Sequence, residues 1–266
     1  YFDLYAAVIE LAGGVRRSVT LRAPDYSFDP AELEAAINPS TRMILFNTPH
    51  NPTGKVFSEP ELGQIARLAI AHDLLVVTDE VYEHMTYDGA RHIPLATLPG
   101  MAERTVTISS GGKSFGLTGW KVGWAHAPTE LIDAVPTVKQ HMSFTSGAPF
   151  QRAMVTALNL GDDYFTGLAD DLSAKRDLVS DGLRSAGLDV LPASGTYYVT
   201  ADVAPLGYDD GMDFCRDLPG RCGVVAIPNR VFYDGESAGR SIVRFAYCKR
   251  FEVLNEAVER LSRLAG

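Results

Sequence analysis

The first half of the chain alternates short, uninterrupted apolar runs with longer segments in which apolar residues recur at helical spacing. Four of the runs predict strands, at residues 43–47, 74–78, 105–109 and 123–127. These runs are apolar without alternation, which is typical of parallel strands that are buried on both faces. Between the first two runs, Ser58 and Pro60 precede apolar residues at helical spacing, which predicts a helix capped by Ser58. Strands that alternate with helices indicate an α/β fold built on a mostly parallel, doubly wound sheet.

The second half begins with helical patterns and then changes to a second alternation of strands and helices. Helices are predicted at 129–141 and 149–159, and a long polar helix at 162–186 that ends at Gly187. The remaining predicted elements are strands at 197–201, 224–227 and 241–246 and helices at 212–218 and 252–264. We therefore predict two domains, a large one over 1–161 and a smaller α+β domain over 162–266 that includes the long helix.

Composition narrows the class of protein. The formal net charge of −9 gives no basic footprint, so a nucleic-acid partner is not expected. No apolar run approaches the roughly 18 residues of a membrane helix, so no membrane partner is expected either. The cysteines, Cys215, Cys222 and Cys248, are an odd number without metal-ligand spacing. We therefore predict reduced thiols in a cytoplasmic protein and no metal site.

One lysine stands in a loop of small residues directly after an apolar run. Lys113 follows Ser110, Gly111 and Gly112, which come straight after the run at 105–109. Glycines leave room for a ligand close to the backbone, and a lysine amine in a desolvated pocket can form a Schiff base with a carbonyl. A lysine in an ordinary surface loop would give the same local pattern, so this feature alone does not decide the chemistry.

Other apolar runs also lead into polar side chains. Asn51 follows the run at 43–47, Asp79 and Tyr82 follow the run at 74–78, and Arg244 stands inside the apolar run 242–245. In open α/β sheets, ligand sites form at the carboxyl ends of the strands. We therefore expect several of these side chains to take part in one site.

Taken together, these motifs resemble the class I/II aminotransferases, pyridoxal-phosphate enzymes of fold type I. The resemblance is carried by Asn-Pro-x-Gly at 51–54, Asp-x-x-Tyr at 79–82, Ser-x-x-Lys at 110–113 and the late Arg244, in the family's order and over essentially the whole chain. Gly-Trp-Lys-Val-Gly-Trp at 119–124 is similar to the branch that holds kynurenine, methionine and glutamine aminotransferases and cysteine-conjugate β-lyases. The chain begins at Tyr1 without methionine, and the resemblance implies an N-terminally truncated sequence whose missing part contributes to the large domain and the site.

The resemblance implies roles at the reacting centre. Lys113 would form an aldimine with pyridoxal phosphate and then move a proton between Cα and C4′. Asp79 would hold the proton on the pyridine nitrogen, whereas Glu80 beside it is predicted to be structural. Asn51 and Tyr82 would donate hydrogen bonds to the O3′ oxygen. From the residues alone, Asp79 and Asn51 could be turn residues and Tyr82 a packed aromatic.

The resemblance also implies how the cofactor and substrate are held. Ser110 and Lys121 would bind the cofactor phosphate, and Phe2 would stack on the cofactor ring. Lys121 stands where many family members have arginine, so the charge is kept without the bidentate fork. Arg244 would bind the substrate α-carboxylate through two parallel hydrogen bonds. A solvated surface lysine and an internal salt bridge are the structural alternatives for Lys121 and Arg244.

The expected function is the transfer of an amino group between an amino acid and a 2-oxo acid in a cytoplasmic homodimer. Two alternatives use the same residues: a cysteine-conjugate β-lyase and a succinyl-diaminopimelate aminotransferase. A non-catalytic, aminotransferase-like regulatory domain is a third alternative. The catalytic motifs do not separate these functions, because the enzymes share the same first carbanion.

Overall fold

The structure is a computed structural model that describes residues 1–235 and 237–264. It divides into two compact units. The first unit comprises Tyr1–Ile37, His50–Lys55 and the described part of Asp170–Gly266, and the second comprises Asn38–Pro49 and Val56–Ala169. Each unit is made of segments that are separate in the sequence, so the two units differ from the predicted domains. The predicted boundary at 161/162 stays a prediction.

The helices account for much of the chain. Within the described residues they are α1 (Asp3–Leu11), α2 (Pro30–Ala36), α3 (Glu59–Ala71), α4 (Gly111–Ser114), α5 (Thr129–Ile132), α6 (Ala134–Met142), α7 (Ala148–Leu158), α8 (Asp162–Ser185), α9 (Gly211–Cys222) and α10 (Phe251–Leu261). None of these is both long and apolar enough to cross a membrane.

The second unit contains a four-stranded sheet in which the strands follow one another in chain order. Its strands are β1 (Met43–Asn47), β2 (Leu75–Asp79), β3 (Thr105–Ser110) and β4 (Gly123–His126). The first three strands are parallel, as predicted, but β4 is antiparallel to β3. The connection between β3 and β4 holds only the four-residue helix α4 and a 3₁₀ turn at Thr118–Trp120. It therefore lacks the longer crossover helix that usually returns a chain to the other end of a sheet for parallel pairing.

The first unit contains a second sheet, which is entirely antiparallel. Its strands, in spatial order, are β5 (Asp189–Val190), β6 (Tyr198–Asp202), β8 (Ile242–Ala246) and β7 (Ile227–Pro228). One face of β6 and β8 buries Val199, Ala201, Val243 and Phe245, and Thr200 and Ile242 are buried on the other face. On that second face Ile242 packs in a cluster with Tyr26 and Leu191. A mostly parallel sheet in one unit and an antiparallel one in the other confirm the predicted α/β fold class.

Local sequence signals explain where several helices begin and end. The Glu61 carboxylate accepts hydrogen bonds from both the backbone N–H of Ser58 (2.9 Å) and its hydroxyl (2.8 Å), at the predicted start of α3. Gly187 takes a left-handed φ of +91° after α8, where the sequence predicts the helix end. The predicted helix at 129–141 is instead two helices, because Pro136 in α6 has no N–H to bond the carbonyl four residues earlier.

Candidate active site

The carboxyl ends of the parallel strands in the second unit bring polar groups to one edge of the sheet. Asn47 ends β1 and Asp79 ends β2, and the two residues are aligned in the strand pairing. The Asn47 side-chain amide donates to the Asp79 carbonyl at 2.7 Å, and the backbone N–H of Thr48 donates to the same carbonyl at 3.0 Å. The backbone of Asp79 is therefore fixed by the neighbouring strand.

Asp79 opens the turn that carries Tyr82. The Asp79 carboxylate is half-buried and accepts a hydrogen bond from the backbone N–H of Val81 at 3.3 Å. Tyr82 is only 2% exposed, and its carbonyl accepts from the N–H of Met85 at 2.8 Å. The strand thus ends in a carboxylate, and the turn places a phenol three residues later.

Lys113 lies on α4, which begins immediately after β3. The strand ends at Ser110, and both Ser110 and Lys113 are half-buried. A Cβ on Gly112 would lie 3.2 Å from the Cα of Thr118 and 3.5 Å from the Ser110 hydroxyl, so glycine keeps space open beside that hydroxyl. The Tyr164 hydroxyl donates to the Ser114 carbonyl at 2.9 Å and fixes the end of the same short helix.

Lys121 lies in the connection that leads back into β4. Its backbone is left-handed, with a φ of +54°, and its side chain is exposed. The residue lines a surface groove with a volume of about 480 Å³, together with Trp120, Lys139 and Phe150. The rings of Trp120 and Phe150 stack with centroids 4.9 Å apart. The groove therefore combines two lysine side chains with a pair of stacked aromatic rings.

In the first unit, Arg244 is held by an amide and two aromatic rings. Its Nη1 donates to the Asn51 side-chain oxygen at 2.5 Å. Its guanidinium carbon lies 4.1 Å from the centroid of Tyr198 and 4.9 Å from that of Phe232, within the range of cation–π attraction. Asn51 is buried and Arg244 is half-buried.

The loop that carries Asn51 is fixed within the first unit. The carbonyl of Gly54 accepts from the N–H groups of Ser194 (3.0 Å) and Gly195 (2.7 Å). Gly54 has a φ of +74°, and a Cβ there would lie 2.7 Å from the Cβ of Ala193, so only glycine fits. His50 is buried beside the Thr53 hydroxyl, 2.8 Å from its Nδ1, and burial lowers the pKa of His50 to about 3.

Phe2 lies at the start of α1 in the first unit. It is half-buried, and its ring contacts the ring of Tyr5 edge-on with centroids 5.8 Å apart. The structure thus brings Asn51 and Arg244 into contact in the first unit, and it places Asp79, Tyr82, Ser110, Lys113 and Lys121 in the second unit.

Sequence reasoning missed the two rings that contact Arg244. Tyr198 lies on β6, where Thr200 is the direct partner of Arg244, so Tyr198 is a diagonal neighbour two residues away. Phe232 lies in a 3₁₀ turn at Asn229–Phe232. Neither contact has a local signal, because the first depends on the register of β6 against β8 and the second on how the 3₁₀ turn packs against β8.

Comparison with known proteins gives a consistent result. A family model described as aminotransferase class I and II matches residues 1–261. The probable N-succinyldiaminopimelate aminotransferase DapC of Mycobacterium tuberculosis (strain ATCC 25618 / H37Rv) is 47% identical over 100% of this chain and 69% of its own length. Kynurenine–oxoglutarate transaminase 3 of Mus musculus is 38% identical over 97% of this chain and 63% of its own.

Solved structures give the same picture. The N-succinyldiaminopimelate aminotransferase from Mycobacterium tuberculosis matches with a TM-score of 0.96 and 46% identity, over 100% of this chain and 70% of that one. YbdL from Escherichia coli, whose structure identified a methionine aminotransferase function, matches with a TM-score of 0.94 and 32% identity, over 99% and 69% of the two chains.

The donor set described above fits pyridoxal phosphate. The cofactor offers an aldehyde, a basic ring nitrogen, a phenolic oxygen and a phosphate, and the second unit offers an amine, a carboxylate, a phenol, a hydroxyl and a second ammonium group. The space that Gly112 leaves beside the Ser110 hydroxyl fits the close approach of a phosphate. The chain therefore belongs to the class I and II aminotransferases, and it is an enzyme that transfers amino groups with pyridoxal phosphate as its cofactor.

Proposed function

We propose that Lys113 is the catalytic residue and that the negative charge of Asp79 stabilises the protonated ring nitrogen of the cofactor. The observation that carries this proposal is their placement on adjacent parallel strands: Asp79 ends β2, and α4 with Lys113 begins where β3 ends. When bound, pyridoxal phosphate supplies a carbonyl carbon for an amine and a ring that withdraws electrons from the substrate Cα. Lys113 would take the proton from the substrate Cα and return it to C4′ of the cofactor, since one amine can serve as base and then as acid.

The remaining residues of the second unit hold the cofactor in this proposal. The Asp79 carboxylate keeps a proton on the ring nitrogen, and the Tyr82 hydroxyl donates to the phenolic oxygen. Ser110 and Lys121 bind the phosphate by a hydroxyl and an ammonium group. The support for these roles is the set of contacts that fix the backbone at Asp79 and at Ser114, the last residue of the helix that carries Lys113. A preorganised group contributes more to catalysis than a mobile one.

The residues of the first unit have two roles in the proposal. Arg244 binds the substrate α-carboxylate, and the rings of Tyr198 and Phe232 keep its planar guanidinium oriented. Asn51 accepts from Arg244 through its side-chain oxygen, and its amide would donate a hydrogen bond to the phenolic oxygen of the cofactor. Phe2 packs on the cofactor ring.

We further propose that the substrate is N-succinyldiaminopimelate, with a 2-oxo acid as the amino-group acceptor. The supporting observation is the identity of 47% with the probable N-succinyldiaminopimelate aminotransferase, against 38% with the kynurenine transaminase and 32% with the methionine aminotransferase of Escherichia coli (strain K12). The experiment is to measure kcat/KM of the purified protein for all three amino donors with 2-oxoglutarate. N-succinyldiaminopimelate is expected to give the highest value, and a higher value for kynurenine or methionine would contradict the proposal.

The cysteine-conjugate β-lyase is the alternative reaction at the same residues. It would release pyruvate and ammonia from a cysteine conjugate without an added oxo acid. Measuring pyruvate in that mixture separates the two reactions, because transamination stops after one turnover per site when no oxo acid is present. We expect no pyruvate, because transamination leaves the carbon–sulfur bond of the conjugate intact and gives the corresponding 2-oxo acid instead.

Our proposal also includes a homodimer in the cytoplasm, with a large cofactor-binding domain over 1–161 and a smaller domain over 162–266.

A further inference from the structure

Glu80, the residue after Asp79, forms a buried pair of ionisable side chains with His92. Glu80 is 0% exposed, and the side chain of His92 is 6% exposed. One oxygen of the Glu80 carboxylate lies 2.8 Å from His92 Nε2, and the other accepts from the Thr78 hydroxyl at 2.8 Å. The Thr78 hydroxyl in turn lies 3.4 Å from that of Thr107 on β3. The proposed mechanism uses none of these groups.

Stability alone does not account for this pair. A buried pair of ionisable groups contributes little compared with well-packed apolar residues of the same volume, because the cost of removing both groups from water offsets the attraction between them. The arrangement is also incomplete as a hydrogen-bond network, since Nδ1 of His92 is buried without a hydrogen-bond partner among the residues that the structure describes. A pair that contributes little to stability and has an incomplete set of hydrogen bonds points to a role in positioning the backbone around it.

The geometry that the pair controls is that of the Asp79–Tyr82 turn. The N–H of Glu80 donates to the Ile108 carbonyl at 2.8 Å, and its carbonyl accepts from the N–H of Glu83 at 2.9 Å. The Glu83 carboxylate accepts from the Ser109 hydroxyl at 2.6 Å, next to Ser110. The backbone between Asp79 and Tyr82 is therefore tied to β3 on one side, and Glu80 and His92 tie it on the other.

We propose that Glu80 and His92 are positioning residues for the cofactor: their buried hydrogen bond sets the backbone from Asp79 to Tyr82 and so aims the Asp79 carboxylate and the Tyr82 hydroxyl. The inference rests on the proposed roles of Asp79 and Tyr82. His92 does not touch the cofactor and acts through the turn. Small displacements of such a turn have large effects, because a misplacement of about 1 Å can lower the reaction rate about 100-fold.

The test compares His92→Phe, which keeps the ring but removes the donor, with His92→Gln, which keeps an N–H at similar reach. His72→Gln, at an exposed histidine, is the matched control. We measure the Kd for pyridoxal phosphate, the ratio of the ultraviolet and visible absorbance bands of the bound cofactor at one fixed pH, and the melting temperature without cofactor. His92→Phe is expected to raise Kd about 10-fold or more and to change the band ratio. His92→Gln is expected to remain within about 3-fold of wild type.

A double variant separates positioning from stability. In Glu80→Leu/His92→Phe both partners are apolar, so the protein without cofactor is expected to melt close to wild type. We predict that its Kd nevertheless stays raised about 10-fold or more. A double variant that binds the cofactor like wild type would overturn the inference. If the double variant does not fold, the comparison of His92→Gln with His92→Phe decides, and equal Kd values in those two variants would overturn it.

Asp79→Ala distinguishes a failure of the proposed role of Asp79 from a failure of the positioning inference alone. If Asp79→Ala leaves the Kd and the band ratio unchanged, the proposed role of Asp79 fails, and the inference fails with it. If Asp79→Ala changes both but the His92 and double variants do not, the proposed role stands and only the positioning inference fails.

Discussion

At the scale of single residues, Arg244 shows how a charged side chain is held in an apolar strand. Its neighbours Val243 and Phe245 are buried on the opposite face, and its guanidinium lies near two aromatic rings and one amide oxygen. Stacking fixes the plane of the guanidinium, and the fork geometry of arginine suits a carboxylate. The argument for substrate binding therefore depends on the shape of the group as well as on its charge.

Arg244→Lys tests this argument. Lysine keeps the charge but loses the planar fork and the stacking, so we expect KM for the amino acid and for the oxo acid to rise about 10-fold or more. The Kd for pyridoxal phosphate is expected to change little. Arg216→Lys, at an exposed arginine, is the control. Unchanged KM values in Arg244→Lys would contradict the assignment.

His50 makes a prediction about stability and pH. Burial lowers the pKa of His50 from 6.5 to about 3 in the folded protein, so the unfolded chain binds more protons between these two values. The contribution of His50 to the free energy of unfolding is therefore fully present above about pH 6.5 and falls by about 1.4 kcal/mol per pH unit below it. His50→Asn removes the titrating group and keeps an amide near Nδ1.

The measurement is the free energy of unfolding by urea at several values between about pH 4 and about pH 7. The slope against pH is expected to be smaller for His50→Asn than for wild type by about 1.4 kcal/mol per unit in the lower part of the range. His72→Asn, at an exposed histidine, serves as the control. Parallel curves for His50→Asn and wild type would show that His50 is not held neutral by burial.

At the scale of elements, the sequence predicts what is local and misses what depends on long-range pairing. The strand at Met43–Asn47 and the start of α3 are confirmed, because apolar runs and the Ser58 cap are local signals. The direction of β4 and the register of β6 against β8 depend on contacts between distant segments. The Glu80–His92 pair also depends on a contact between separate segments, so the sequence alone predicts only a structural role for Glu80.

In the candidate site too, some positions could be predicted from local patterns and others could not. Asp79 and Lys113 stand at strand ends that the apolar runs already indicate, so their positions could be predicted even though their roles stay proposals. The contact between Arg244 and Asn51 joins residues 193 positions apart, and no local pattern could predict it. The resemblance to a family named both residues, but the physical pairing is visible only in the fold.

Gly123→Ala tests the pairing of β3 with β4. A Cβ at Gly123 would lie 2.8 Å from the Ser109 carbonyl oxygen, which is a backbone atom that cannot move aside cheaply. We expect the free energy of unfolding to fall by about 1–3 kcal/mol. Gly63→Ala in α3 is the control, since a Cβ there meets nothing within 4 Å and alanine should stabilise the helix by about 0.5–1 kcal/mol. Urea unfolding of both variants gives the comparison.

At the scale of the whole molecule, exposed apolar side chains bear on the proposed homodimer. Met142, the last residue of α6, is 75% exposed, and Phe144, two residues beyond it, is 74% exposed. Large apolar side chains grouped at a surface mark association sites in soluble proteins more often than isolated ones do. We expect these residues to lie in the interface between two copies.

Phe144→Asp tests this expectation. Phe144 has a φ of +57°, a region that aspartate tolerates better than phenylalanine, so the substitution should not unfold the chain. We expect sedimentation to show two copies for wild type and dissociation at higher protein concentration for Phe144→Asp. Val225→Asp, at a residue that is 76% exposed in the first unit, is the control. A monomeric wild-type protein would contradict the proposed homodimer.

The most direct test of the central claim is the absorbance spectrum of the purified protein with pyridoxal phosphate while single amino acids are added. We predict a visible band of bound cofactor that converts to the ultraviolet band of its amino form with N-succinyldiaminopimelate and returns when 2-oxoglutarate is added. In Lys113→Ala, conversion with this amino acid is expected to slow by about 100-fold or more, because no group remains to move the proton. A Lys113→Ala variant that converts at the wild-type rate would contradict the account.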